Sequence, residues 1–374
     1  MATNILTSPI IAKEALMVLE NQLIFGNLVY RAYSGDFAHV GSTVLVRKPH
    51  EFATVHDFAS SGTTTSQTIV ESSVPVVMDK LNDITFPITS KELSLDIVDF
   101  REQCLLPAMR AHAQAIDVAL AAKFVDIAAH YAVSATPVVA DIAGVRTQLN
   151  LNKVPFDNRS VVLHPQTEQP YIVLDAFLHA EKRGDTQALK EAHMGRVFGM
   201  DWYMSQNIPT HTEAIATAPT VVGANAAADA TVIRVSGATS TSAVLPVGDV
   251  FKITGEANDR GHVITTAETL SGGSASVTIT PPLMTSMASG ATLVWQKTHK
   301  ANLALHKNAI ALVTAPLEPP LGGATGAVET YKGLTCRVVY DYTSNIKTNV
   351  CSIDILFGIK VLNKELACRL CDAR

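Results

Sequence analysis

Charge is scarce in the middle of this 374-residue chain, and the scarcity is local. Between residues 214 and 298 roughly one residue in nine is charged, against roughly one in four between residues 91 and 131. Aromatic residues make up only 6% of the chain, a composition suited to close-packed, repeated surfaces built from small side chains. No stretch of about eighteen apolar residues escapes a charge, which excludes a membrane-spanning helix. Lys13, Glu14 and Glu20 interrupt the apolar N-terminal run, so no secretory signal is expected there. The five cysteines, Cys104, Cys336, Cys351, Cys368 and Cys371, form no framework, and reduced thiols in a cytosol are the expected state. The formal net charge of −5 argues against affinity for nucleic acid through overall charge, which needs clustered Lys and Arg.

Catalytic signatures are equally scarce. The chain has no G-x-x-x-x-G-K-[ST] phosphate loop, no H-E-x-x-H and no G-x-S-x-G elbow. The glycines Gly322, Gly323 and Gly326 precede no helical pattern that could present backbone N–H groups to a phosphate, so they read as a plain loop. Cys368 and Cys371 have zinc-knuckle spacing but lack the second pair that would complete a site. The acidic run Glu92, Asp96, Asp99, Glu102 precedes a long helical pattern, where acids favour the N-terminal dipole. No catalytic, cofactor-binding or metal-ligating residue is expected, and no enzyme activity.

What is present is an ordered series of elements. Ile11, Ala15, Leu19 and Leu23 recur at helical spacing, predicting an amphipathic N-terminal helix over residues 9–29. Residues 42–89 alternate around a Ser/Thr-rich tip and read as a long hairpin or β-arm. From Leu105 through Met109, Ala113, Ile116, Leu120, Phe124 and Ile127 to Tyr131 runs one apolar stripe, which predicts a spine helix with Pro107 in its first turn. Residues 159–165 read as a buried strand followed by a helix of about four turns. In the charge-poor segment, the pairs Ile233/Val235, Phe251/Ile253, Val277/Ile279 and Leu293/Trp295 each point to one face between Gly-rich turns. This predicts an antiparallel β-barrel or sandwich inserted into a continuous α/β frame. The segments TCRVVYDY and TNVCSIDILFG predict a β-hairpin near the C-terminus.

In that order, SPIIAKEALMVLEN, VPVVMDKLNDITFPITSKELSLDIVDF, AIDVALAAKF, GRVFGMDWYMSQNIP, NLALHKNAIALVTAPL and FGIKVLNKELACRL are soft patterns individually. Together, with the insertion where it stands, the chain resembles the major capsid (coat) proteins of tailed bacteriophages that share the Hong Kong 97 capsid fold. It is most similar to the podovirus type that carries an inserted β-barrel. The resemblance implies an α+β fold with an N-terminal arm over 1–41, an extended loop over 42–89 and a peripheral domain with the spine helix over 90–133. An axial domain over 134–213 and 299–335, the inserted barrel over 214–298, and a C-terminal hairpin returning to the peripheral domain over 336–374 complete it. It also implies a structural protein of the virion, assembled in the host cytoplasm from hexamers and pentamers into an icosahedral shell around double-stranded DNA. Its implied partners are itself, a scaffolding protein, a portal and decoration proteins, with no membrane and no sequence-specific DNA contact. A Lys–Asn cross-link is not expected. A phage tail or surface-binding protein, using the inserted domain for recognition, is the alternative.

In the podovirus type a charged loop of the inserted domain bridges neighbouring capsomers. The matching run here is GEANDRGH, which gives Glu256, Asp259 and Arg260 as intersubunit candidates, with solvated turn residues as the equal alternative. Arg47 and Lys48 of the β-arm are candidates to meet Asp96, Asp99 and Glu102 of a neighbour.

Overall fold

The computed structural model describes residues 8–31, 41–48, 62, 66, 69, 72–88, 101–134, 136–178, 194–213, 219–240, 242–318, 320, 325–343 and 348–373. They group into two compact units, one of residues 1–22, 31–112 and 311–362, the other of residues 23–30, 113–310 and 363–374.

The first unit is built on a five-stranded sheet in which Ile310–Ala315, Thr348–Val361, Leu334–Thr343 and Thr325–Tyr331 lie side by side. Lys80–Ile88 joins it antiparallel to Thr348–Val361, with Asp83 opposite Asp354 and Thr85 opposite Ser352. The helix Ser8–Gln22 packs on Thr325–Tyr331 and Leu334–Thr343. It buries Ile11, Ala12, Ala15, Leu16, Val18 and Leu19, a stripe that recurs every three to four residues, as the sequence pattern required. The helix stops at Gln22 rather than running over 9–29, and a separate short helix, Phe25–Leu28, follows. Leu334–Thr343 and Thr348–Val361 form the expected C-terminal hairpin. The base of the β-arm is the antiparallel pair Thr43–Lys48 and Ser72–Val77. Val46, Val76 and Met78 pack on Ala311, Val313, Ala315 and Leu356. The approach is so close that a Cβ at Gly358 would stand 2.3 Å from the carbonyl oxygen of Val77.

The predicted apolar stripe of the spine is buried at Leu105, Met109, Ala113, Ile116, Leu120, Phe124 and Ile127. The helix itself is shorter than the periodicity suggested. A π-helical turn, Arg101–Leu105, leads into the α-helix Leu106–Ala121, which tightens to a 3-10 turn at Ala122–Asp126. Ile127 is extended and the chain then forms the strand His130–Ala132, parallel to Ala367–Asp372. Spacings of three and four are shared by α and 3-10 turns, and sheet pairing decides where the helix stops.

The second unit holds a seven-stranded mixed sheet ordered His130–Ala132, Ala367–Asp372, His299–His306, Arg159–Leu163, Met200–Met204 and Gly195–Val197, with Thr210–His211 also on His299–His306. Arg159–Leu163, the expected buried strand, is buried at every position. The helix after it is broken rather than four turns long. Pro165–Ile172 ends where Leu174 N turns back to Tyr171 O at 3.1 Å, and a short helix, Asp175–Leu178, follows. Asn302 ties three strands and a helix: its Oδ1 accepts from His164 N at 2.6 Å, and its Nδ2 donates to Thr167 Oγ1 at 3.2 Å and Leu370 O at 3.0 Å.

Within the second unit, the charge-poor segment forms a six-stranded sheet running from Leu293–Trp295 through Val250–Ile253, Gly261–Ile264, Ala275–Thr280 and Val232–Ser236 to Val221–Val222. Its ends come together: Leu293 N donates to Thr220 O at 2.8 Å and Val222 N to Ala291 O at 2.9 Å, which nearly closes a barrel. The expected inward pairs line its core, with Trp295 partly buried against it and stacked 4.5 Å from Phe251. The Trp295 indole N–H is satisfied by Pro219 O at 2.6 Å.

Candidate intersubunit contact surface

The loop joining Val250–Ile253 to Gly261–Ile264 carries the three inserted-domain candidates, and the fold treats each differently. Glu256 turns inward. Its side chain and that of His262 are both 0% exposed, with His262 Nε2 2.5 Å from Glu256 Oε2. The second carboxylate oxygen accepts from Met284 N at 2.9 Å, and His262 Nδ1 donates to Pro281 O at 2.8 Å. A carbonyl only accepts, so Nδ1 must carry a proton, and a second proton lies between Nε2 and Oε2. Glu256 is thus the anchor that fixes the loop to the following turn.

Asp259 stays outside, its side chain 67% exposed, and is paired with Lys252 on the adjacent strand. Gly255, Asn258 and Asp259 all have positive φ, 93°, 60° and 49°, so the loop turns through a glycine and two left-handed non-glycine residues. Arg260 Nη2 donates to Glu365 Oε1 at 2.8 Å, in the 3-10 turn Lys364–Leu366, whose Glu365 N is held by Asn363 Oδ1 at 3.0 Å. Beside this ion pair lies a cleft of about 290 Å³ edged by Leu151, Lys153, Met284 and Lys364.

On the β-arm, Arg47 and Lys48 stand at the end of Thr43–Lys48, opposite Ser73 and Ser72. Glu102 is exposed in the π-helical turn. Glu92, Asp96 and Asp99 lie outside the described residues, as do the glycines Gly322 and Gly323. Gly326 belongs to the strand Thr325–Tyr331, not to a loop.

Two polar groupings had no sequence signal. At the root of the inserted barrel, His211 Nε2 bonds Asp249 Oδ1 at 2.6 Å and the His299 ring stands 5.4 Å from that of His211. The buried Arg369 lies over Phe124 at 5.0 Å and donates from Nη1 to Gly248 O at 2.8 Å. Burial lowers its guanidinium to about 10, and lowers His130 and His299 to about 3 and about 4. In the first unit, Arg337 donates from Nε to Asp354 Oδ2 at 2.8 Å, and Ser352 joins Asp354 to Asp83. Only the three-dimensional pairing of distant strands brings these residues together. The thiols of Cys336, Cys351 and Cys371 are pushed up to about 12 by burial and Cys368 is raised as well, so each is held in its protonated form.

Comparison with solved structures gives similar folds at low identity. A chain of Mycobacterium phage Che8 is 14% identical, with 93% of this chain and 90% of that one covered and a TM-score of 0.47. The capsid structure of the cyanophage P-SCSP1u is likewise 14% identical, covering 94% and 88%, with a TM-score of 0.49. The mature capsid of bacteriophage PhiM1 is 10% identical, covering 92% and 87%, with a TM-score of 0.43. No curated protein sequence matches the chain. The family model described as P22 coat protein, gene protein 5, matches residues 1–258, from the N-terminal helix into the inserted barrel. The match spans more than half of the sequence, and with the α+β frame and the nearly closed inserted barrel in place, the chain belongs to the P22 coat protein family, whose members are phage coat proteins.

Proposed function

We propose that this coat protein is the major capsid protein of a tailed phage head, assembling as hexamers and pentamers into an icosahedral shell around packaged double-stranded DNA. A scaffolding protein and a portal guide a precursor shell, which later expands. The family match over residues 1–258 carries this reading. A shell needs many modest contacts per subunit, which a β-arm and an inserted barrel are suited to supply, and heterologous contacts that close give rings. The net charge of −5 is compatible with the role, because a shell that receives DNA by motor work need not attract it. Electron microscopy of the overexpressed protein, alone and with a co-expressed scaffold, is expected to show shells or ring-shaped capsomers. A monodisperse monomer under all such conditions would overturn the proposal.

The contacts follow from which candidates remain outward. Asp259 is the inserted-domain residue that meets a neighbouring capsomer in this reading, which its exposed side chain supports, with Arg260 paired to Glu365 in the same loop region. Arg47 and Lys48 meet Asp96, Asp99 and Glu102 of an adjacent subunit. Reversing Arg47 and Lys48 to Glu is expected to abolish shells while leaving the circular dichroism of the subunit unchanged; normal shells from that variant would remove the arm contact.

A further inference from the structure

The strand Lys80–Ile88 is the segment through which the β-arm leads back into the five-stranded sheet. At its centre Asp83 stands directly across from Asp354. One hydroxyl lies between them: Ser352 Oγ is 2.8 Å from Asp83 Oδ1 and 2.8 Å from Asp354 Oδ1. A serine hydroxyl has a single proton and can donate to only one of those oxygens. The other oxygen must therefore bring a proton of its own. Asp83 already accepts from Thr85 Oγ1 at 2.9 Å and takes the Ser352 proton as a carboxylate. Asp354 Oδ2 accepts from Arg337 Nε at 2.8 Å, which leaves Asp354 Oδ1 to donate to Ser352 Oγ. The chain of hydrogen bonds runs Asp354 to Ser352 to Asp83, across two strands.

We propose that Asp83, Ser352 and Asp354 form a proton-loaded clasp that fastens the root of the β-arm to the sheet and opens when the proton is lost. Without it, two carboxylates face each other across one strand spacing and Arg337 neutralises only one of them. Like charges directly opposite in an antiparallel pair weaken that pair. The other groups facing the clasp do not compensate. His112, from the spine helix, is lowered to about 4 by burial and is neutral there. Cys351, on the strand of Ser352 and Asp354, and Cys336, on the strand beside it, are held as thiols, and Val328 occupies the position across from Arg337. Burial raises Asp354 above the ordinary carboxylate range even against Arg337, in agreement with the donor count. The pair titrates as a unit, so the retained proton belongs to the clasp rather than to either carboxyl.

The test is native-state hydrogen exchange on the full-length protein, following peptides from residues 80–88 and 348–361 and referring rates to intrinsic exchange. In the wild type, protection of both peptides should fall by about tenfold as the pH is raised and the proton leaves. Asp83→Asn, whose amide donates at every pH, should keep the high protection throughout. Ser352→Ala, which removes the bridge, should show low protection with no pH dependence. A wild type with flat protection, or either variant retaining the wild-type profile, would overturn the clasp. Should Asp83→Asn not fold, the Ser352→Ala comparison decides alone.

Discussion

Glu256 sits in the loop between Val250–Ile253 and Gly261–Ile264, with its side chain shut away from solvent against His262. Its neighbours Asp259 and Arg260 mark the loop as charged and outward. The carboxylate instead satisfies His262 and the backbone of Met284 in a site without solvent. A partner six residues on, across the hairpin, leaves no trace in local pattern; only the register of Val250–Ile253 against Gly261–Ile264 reveals it. Glu256→Ala should strand a buried imidazole and an amide, costing about 3–5 kcal/mol in urea unfolding, whereas Asp259→Ala at the exposed tip should cost less than about 1 kcal/mol. Buried titrating groups set the pH response. His112, His130 and His299, at about 4, 3 and 4, are neutral in the fold and take up protons only on unfolding below 6.5. The unfolded chain then binds more protons, so stability falls as pH drops through that window. Asp117, raised to about 6 by burial although Ile24 N and Gly26 N donate to it, acts in the opposite sense between 3.8 and 6. The three imidazoles outweigh Asp117, so stability should fall on acidification, measurable as a falling urea midpoint from pH 6.5 downward.

Elements were legible wherever a single period covered them. The N-terminal helix, the C-terminal hairpin and the barrel strands follow from spacing because each buries one face. The spine and the helix after Arg159–Leu163 were overread, since an apolar stripe of three and four continues unchanged from α-helix into 3-10 turn and strand. What ends the spine is pairing with chain more than two hundred residues away, His130–Ala132 against Ala367–Asp372, whereas the later helix breaks at the local turn of Leu174 onto Tyr171. Gly358 shows the same dependence in one position. Gly358→Ala places a methyl 2.3 Å from the Val77 carbonyl, with backbone on both sides unable to yield, and should destabilise the seat of the β-arm by about 1–3 kcal/mol. The loss should appear as a lower urea midpoint.

At the scale of the molecule, the inserted barrel is wedded to the unit that carries it. Ala128 packs with Val250 and Val263 of the barrel, and a Cβ at Gly248 would stand 3.0 Å from Val125. His211, Glu365 and Arg369 of the frame each find a partner inside the barrel. Replacing residues 214–298 by a short Gly/Ser linker should therefore uncover Val125 and Ala128 and yield aggregated protein, judged by the soluble fraction and by sedimentation. A soluble monomer with the wild-type urea midpoint would contradict this. Yet the chain departs and rejoins at neighbouring points, with His211 opposite His299 and Thr210 opposite Lys300 in one antiparallel pair. Loop-closure entropy rises only slowly with the length enclosed, so the frame is nearly indifferent to how many residues stand between those two strands. The position behaves as a socket: any domain whose ends meet at one strand spacing, and which offers a carboxylate to His211 and a carbonyl to Arg369, has what it needs to plug in.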